Sequence, residues 1–214
     1  MKKITIVFLS VCIAFASGCR WVGIRGNGHI KTEERTINTF TEIDIGGAFE
    51  IEWRSGSPAL GITTDENLLP YIESEVSGDT LRLRTHDQIW PTHGIKVVIS
   101  SPTRAAARIR GAVKLTANQL TGPKFALEAS GASRISLDGS IDELLADMTG
   151  ASKLDAGGLQ TKSAEISTTG AGNAEIAVSE TLKVSITGAG KVSYSGNPTV
   201  EKRITGAGSV RRRE

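Results

Sequence analysis

Cysteine is almost absent from this chain: Cys12 and Cys19 are the two it has, and both sit in or just after an apolar N-terminal stretch. The body beyond residue 19 therefore has no internal disulfide, and its stability rests on burial and backbone pairing. Aromatic residues make up 5% of the chain, too few for a bulky interior. No apolar run reaches the roughly 20 residues that a membrane-spanning helix needs. An excess of charge of one sign is missing as well. The formal net charge is +2, and Lys2 and Lys3 belong to the leader; without them the 25 basic residues become 23, against 23 acidic ones. A near-neutral body offers no broad field to nucleic acid or to an anionic membrane surface. Arg211-Arg212-Arg213 is a local exception, read as a charged end that blunts an exposed strand edge. What the chain has in quantity is glycine, 24 residues, together with alanine, serine and threonine, a balance that suits narrow, tightly stacked β-structure.

The leader explains the first 19 residues. Lys2 and Lys3 form a basic start, Ile4 to Ala16 an apolar stretch, and Ala16-Ser17-Gly18-Cys19 a small-residue end, the three parts of a secretory signal peptide. The last four residues resemble the bacterial lipobox, with Ala16 where leucine is commonest. That resemblance implies cleavage after Gly18 and acylation of Cys19, which anchors the mature chain to a membrane through lipid chains, each buried methylene adding about 0.8 kcal/mol. Residues 1–18 are thus read as signal peptide and 19–36 as a tether. Residues 37–214 are read as one β domain, irregular over 54–104 and regular over 105–210. About 195 residues remain after cleavage, enough for one domain with a real core.

Internal repetition is the main signal. A Gly-Ala pair recurs at Gly111, Gly131, Gly150, Gly170, Gly188 and Gly206, with spacings of 20, 19, 20, 18 and 18. Two residues before it stand Ile109, Ala129, Met148, Thr168, Ile186 and Ile204. Four before it stand Ala107, Leu127, Ala146, Ile166, Val184 and Lys202. Four after it come Leu115, Ile135, Leu154, Ala174, Val192 and Val210. The intervening positions are mostly polar, so the flanks of each pair read as strands with one buried face. Each unit is a strand, a Gly-Ala corner, a second strand and a return turn, with breakers at Gly122-Pro123, Gly157-Gly158 and Gly196-Asn197-Pro198. One unit cannot bury its own apolar face, so the units must stack, and six turns about 4.8 Å apart make a rod of roughly 25–30 Å. The fold expected is an all-β, right-handed parallel β-helix or β-solenoid with coils of 18–20 residues. A left-handed hexapeptide coil is excluded because no aliphatic residue recurs at every sixth position, and a leucine-rich repeat because its leucine pattern is missing.

Upstream, Ile43, Ile45, Gly47-Ala48, Ile51 and Trp53 fit the same template and give an earlier turn. Between Trp53 and Ala105 the pattern loosens into a short helical or turn segment at Asp65 to Tyr71, a hairpin around Ser77-Gly78-Asp79, and a strand at Ile95 to Ile99. This is read as an irregular N-terminal β cap. The opening Gly26-Asn27-Gly28, the stretch Phe40 to Gly47, the block Asp65-Glu66-Asn67-Leu68-Leu69-Pro70-Tyr71 and the repeated Thr-Gly-Ala-Gly are similar to the putative auto-transporter adhesin, head GIN domain family. The resemblance runs from about residue 37 to the C-terminus. It implies a β-helical domain on exported, often lipid-anchored bacterial proteins, and it brings no catalytic residues with it.

Chemistry-bearing patterns are few. His86 and His93 bracket a loop, but no paired Cys or His at ligand spacing completes a metal site. Gly188-Ala189-Gly190-Lys191 lacks the first glycine, the hydroxyl residue and the following helix of a phosphate loop, and reads as a β-corner. No nucleophile elbow or Ser-x-x-Lys pair occurs. Glu128 and Asp147, each three residues before a corner, are expected one strand spacing apart, but a catalytic pair also needs a groove that shifts proton affinities. Two outward ladders stand out. Ser130, Thr149, Thr169, Thr187 and Thr205 precede the corners as a hydroxyl row. Lys114, Arg134, Lys153, Asn173 and Lys191 follow them, and Glu128, Asp147, Asp155 and Glu175 are the acids expected to neutralise the cations. Lys114, Arg134, Lys153 and Lys191 form the candidate binding strip, for an acidic glycan or an envelope protein; the plainer reading is a solvated charged face. No cofactor, metal or nucleic-acid partner is expected. Three readings stay open: a non-enzymatic envelope lipoprotein that presents a β-helical surface for adhesion or binding, a periplasmic structural or signalling accessory, and a carbohydrate-active lyase or hydrolase. For localisation the expectation is the outer membrane, facing the periplasm or the surface.

Overall fold

Each Gly-Ala corner is dictated by how closely one lap of backbone passes the next. In the computed structural model, which describes residues 23–213, the corner glycines Gly111, Gly131, Gly150, Gly170, Gly188 and Gly206 all have φ between +98° and +120°. A Cβ at Gly131, Gly150, Gly170 or Gly206 would stand 2.6 Å from the carbonyl oxygen of the glycine one lap earlier. That oxygen instead accepts a hydrogen bond from the alanine that follows the next corner, as in Ala132 to Gly111 (3.0 Å), Ala151 to Gly131 (2.9 Å) and Ala171 to Gly150 (2.8 Å). Glycine is needed twice over, for its dihedral and for its missing side chain. The leader and Cys19 lie outside the described residues.

Strand makes up 73% and helix 3% of the protein, so sheet faces supply most of the core of a β-solenoid of about five turns, with Phe40, Phe49, Leu69, Ile95 and Val113 added from the connections and the short helix. Before the corner, Glu42–Gly47, Ala106–Gly111 and the second halves of Lys114–Gly131, Arg134–Gly150, Lys153–Gly170 and Asn173–Gly188 pair in parallel, followed by Thr199–Gly206. After the corner, Glu50–Ser55, the first halves of the same long strands, Lys191–Ser195 and Ser209–Arg212 form a second parallel ladder. Period-2 burial follows: Ile109, Leu127, Met148, Ile166 and Ile186 point in, and one core runs from Phe40 to Val192.

Two expectations needed revision. Return turns at Gly122-Pro123 and Gly157-Gly158 are not breaks between strands. Strand continues through both, and the laps fall out of register between Ala117 and Leu120 and between Ala156 and Gln160. The bends skip a few ladder pairs rather than ending the strand, and at the first of them the Arg104 guanidinium satisfies the Asn118 and Gln119 carbonyls left over. Of the three expected return turns, Gly196-Asn197-Pro198 does interrupt strand. The tether, read as reaching residue 36, is shorter as well. Ile30–Arg35 is a strand that pairs antiparallel with Ala59–Asp65, held by main-chain bonds that its polar side chains did not announce.

The irregular stretch contains the expected elements: a 3-10 helix at Glu66–Tyr71, a hairpin of Ile72–Ser77 with Thr80–Thr85, and a strand at Lys96–Ser101. Their placement is the surprise. Thr80–Thr85 lies beside Glu42–Gly47 and Lys96–Ser101 beside Glu50–Ser55, both in parallel, so the chain doubles back and lays a lap outside its own first turn. Asp65, fully buried, fastens the upstream strand to this lap. It accepts hydrogen bonds from the Gly28 N–H (2.7 Å), the Thr92 N–H (2.8 Å) and the Thr92 hydroxyl (2.8 Å). Burial pushes its carboxyl upward, but these donors outweigh that effect and hold it below the usual range. A depressed carboxyl stabilises the fold above the unfolded value of about 3.9 and stops doing so as pH falls through its folded value. Asp65→Asn is therefore expected to melt well below the parent protein at pH 7, with the gap closing as the pH drops below about 4. A gap that stays constant from pH 7 to pH 2.5 in thermal melts counts against a buried charged Asp65.

Candidate functional site

Alternation along the second ladder aims one side chain of every lap at solvent. Because Ile51, Leu115, Ile135, Leu154 and Val192 are buried, their neighbours Glu50, Lys114, Arg134, Lys153 and Lys191 must point outward, and all are exposed. Backbone register stacks them as Lys96, Glu50, Lys114, Arg134, Lys153, Asn173, Lys191 and Ser209. The sheet thus brings Lys114, Arg134 and Lys153 together on consecutive rungs and sets Lys191 two rungs further on, across Asn173.

The four cations are not equivalent. The Lys114 ammonium donates to Glu50 Oε1 at 2.6 Å, and that bond holds the Glu50 carboxyl below the usual range. Arg134, Lys153 and Lys191 form no ion pair among the described residues. The acids expected to balance the strip are engaged elsewhere or set aside. Glu128 binds Arg108 at 2.7 Å on the other face, and Glu175 pairs with Arg213. Asp155 stands in the next outward row beside Ser136 and Glu175. Lys114, Arg134 and Lys153 line a groove of about 200 Å³ together with Thr116, Ser136, Asp155 and the rungs at Leu115 and Ile135. Such a surface can take a flat anionic ligand by charge and hydroxyl contacts, screened by salt.

Glu128 and Asp147 are neighbours in register, as expected, in a groove of about 180 Å³ with Arg108, Arg110 and Thr149. The hydrogen bond from Arg108 holds Glu128 below the usual carboxylate range, the direction opposite to what a general acid requires. His86 binds Glu73 at 2.7 Å, and His93 shares a hydrogen bond with the Thr92 hydroxyl at 2.9 Å. Among the described residues, no three His, Cys, Asp or Glu side chains gather as a metal site. The hydroxyl row is in register, although within it the Ser130 side chain alone is hydrogen-bonded among the described residues, donating to the Ile109 carbonyl at 3.5 Å.

Asp44 was not singled out from the sequence. It is nearly buried between two guanidinium groups, Arg84 at 2.9 Å and Arg110 at 2.9 Å, and Gly46 leaves the space in which Arg84 lies. A charged residue between Ile43 and Ile45 was the available clue; its partner Arg84 comes from the doubled-back lap. Among the described residues, no helix is long and apolar enough to cross a membrane.

Solved structures share this architecture. A putative adhesin from Bacteroides fragilis superposes with a TM-score of 0.74 at 20% identity, covering 89% of this chain and 100% of its own. A putative lipid binding protein from Parabacteroides distasonis gives 0.56 at 22% identity, over 89% and 99% of the two chains. A putative adhesin from Parabacteroides merdae gives 0.51 at 22% identity, over 90% and 99%. These likenesses establish the fold. No curated protein matches the chain. Residues 39–198 match the family described as putative auto-transporter adhesin, head GIN domain, a span that holds the first turn, the doubled-back lap and all but the last coil. This chain belongs to that family.

Proposed function

We propose that the protein is a non-enzymatic adhesion module of the cell envelope, anchored through an acylated Cys19, which binds an acidic glycan along Lys114, Arg134, Lys153 and Lys191. One observation carries the reading: Arg134 and Lys153 are stacked on adjacent rungs of a rigid, exposed sheet with no carboxylate partner among the described residues. Like charges on neighbouring strands are unfavourable by themselves, and a polyanion lying across the rungs removes that cost. Membership in an adhesin-head family and a signal-peptide-like leader support placement in the envelope.

The test is retention of the full-length lipoprotein on an immobilised acidic polysaccharide. Replacing Lys114, Arg134 and Lys153 together by alanine is expected to abolish retention. Because exposed charges of this kind contribute about 0–1 kcal/mol each, the melting temperature should stay close to the parent's. Arg134→Ala with Lys153→Ala should account for most of the loss, since Lys114 is already engaged by Glu50. Retention that persists in the triple variant overturns the reading. In the same strain, Cys19→Ser is expected to end metabolic labelling by palmitate and to release the protein into the soluble fraction.

A further inference from the structure

The two ends of the solenoid are finished differently. At the first end Arg35, on the outermost strand of one sheet, donates to the Leu69 and Ile72 carbonyls and the Ser74 hydroxyl, at 3.0, 2.6 and 3.0 Å, and so ties in the outermost strand of the other. Among the described residues nothing comparable covers the last coil. Thr199–Gly206 pairs with the preceding lap alone, and so does Ser209–Arg212. The outer edge of each strand keeps its N–H and C=O groups unpaired, and Ile204, which points inward, is 37% exposed.

Two inward positions of this coil break the rule of every earlier lap. Lys202 is in register with buried Val184, where previous laps carry Ala107, Leu127, Ala146 and Ile166. Arg212 is in register with Tyr194, where previous laps carry Ala117, Leu137, Ala156 and Ile176. With Arg203, Arg211 and Arg213 the coil carries five cations against one carboxylate, Glu201, among the described residues. Lys202, Arg203, Arg211 and Arg212 have no ion-pair partner among the described residues.

The geometry points to a second interaction surface, independent of the basic ladder: the edge of Thr199–Gly206 accepts an extended segment of another protein that carries a carboxylate between two apolar residues at alternate positions. Strand addition supplies main-chain hydrogen bonds, and alternate side chains supply specificity. A segment laid on this edge sets three of its side chains over Val200, Lys202 and Ile204, so it must be apolar, acidic and apolar there. A second copy of this chain fits poorly. Edge-to-edge antiparallel pairing centred on Lys202 sets that residue against itself. Head-to-tail stacking brings in Ile72–Ser77, whose core-side residues Ile72, Ser74 and Val76 include no carboxylate. Lys202 thus selects an acidic partner for this edge and disfavours its pairing with a second copy.

The test uses the mature protein and a labelled peptide, Thr-Ile-Thr-Glu-Thr-Val-Thr, with a twin carrying Lys in place of Glu, read by fluorescence anisotropy. The parent protein is expected to bind the Glu peptide at least tenfold more tightly than the Lys peptide, and Lys202→Glu to reverse that order. Lys202 is exposed, so the exchange leaves the core intact, and a circular dichroism melt confirms it. Equal binding of the two peptides, no binding of the Glu peptide, or an unchanged order in Lys202→Glu overturns the proposal. So does a Lys202→Val variant that self-associates on gel filtration when the parent binds neither peptide; the cation is then a guard against polymerisation and nothing more.

Discussion

Gly150→Ala is expected to lower the unfolding free energy by roughly 3–5 kcal/mol, whereas Gly122→Ala lowers it by about 1 kcal/mol. Both glycines have positive φ, +98° and +136°, so both substitutions force an alanine into backbone that L-residues rarely adopt. They differ in space. A Cβ at Gly150 meets the Gly131 carbonyl oxygen at 2.6 Å, and a Cβ at Gly122 meets nothing within 4 Å. The first substitution must therefore push two laps apart and lengthen the hydrogen bond from Ala151 to Gly131, adding an overpacking cost to the dihedral one. Urea titrations of the two variants measure the difference. Midpoints that agree to within about 1 kcal/mol after conversion mean that close approach of the laps is not why glycine recurs at the corners.

Trp53→Ala should be as damaging, at about 3–5 kcal/mol, the range for losing a fully buried large aromatic. Trp53 is completely buried and packs against Phe40 and Phe125, with ring centroids 6.2 Å away in both cases. Its indole N–H donates to Ser101 Oγ at 2.9 Å, and its carbonyl accepts from the buried Arg104 at 3.1 Å. One residue thus joins the first turn, the doubled-back lap and the first regular coil. Trp53→Phe keeps most of the packing and loses one bond to a hydroxyl that still donates to the Thr103 carbonyl, so it should cost about 1 kcal/mol beyond the smaller ring. Since solenoid laps touch mainly their neighbours, hydrogen exchange in Trp53→Ala should accelerate in Glu50–Ser55 and Lys96–Ser101 well before Asn173–Gly188. Uniform acceleration along the chain contradicts that local picture.

The repeating half was legible because every cause in it is local or recurs at a fixed interval. A corner needs glycine for reasons present at each lap, and a strand with one buried face shows its alternation in five or six residues. The first turn at Gly47-Ala48 could be read by the same template even though 50 residues of other structure, from 56 to 105, separate it from the lap it pairs with. What could not be read is pairing that only the fold decides. Nothing in Thr80–Thr85 or Lys96–Ser101 says that they flank Glu42–Gly47 and Glu50–Ser55 on the outside. Arg104 looks like a surface residue in sequence, yet it is 5% exposed and donates to the Trp53, Asn118 and Gln119 carbonyls. Of the candidate strip, the stacking of Lys114, Arg134 and Lys153 followed from the repeat interval. The diversion of Lys114 to Glu50 did not, because the irregular stretch between them hides that the first turn stacks directly on the Lys114 lap.

Unbroken strand through Gly122-Pro123 and Gly157-Gly158 has a consequence for growth of the molecule. Around each corner the laps pair residue for residue, and the bends absorb differences of one or two residues, so a lap can be copied or lost from one corner glycine to the next with the corner flanks still in register. Reach is then an adjustable dimension, changed by duplication in steps of about 4.8 Å, while the two end laps stay as they are.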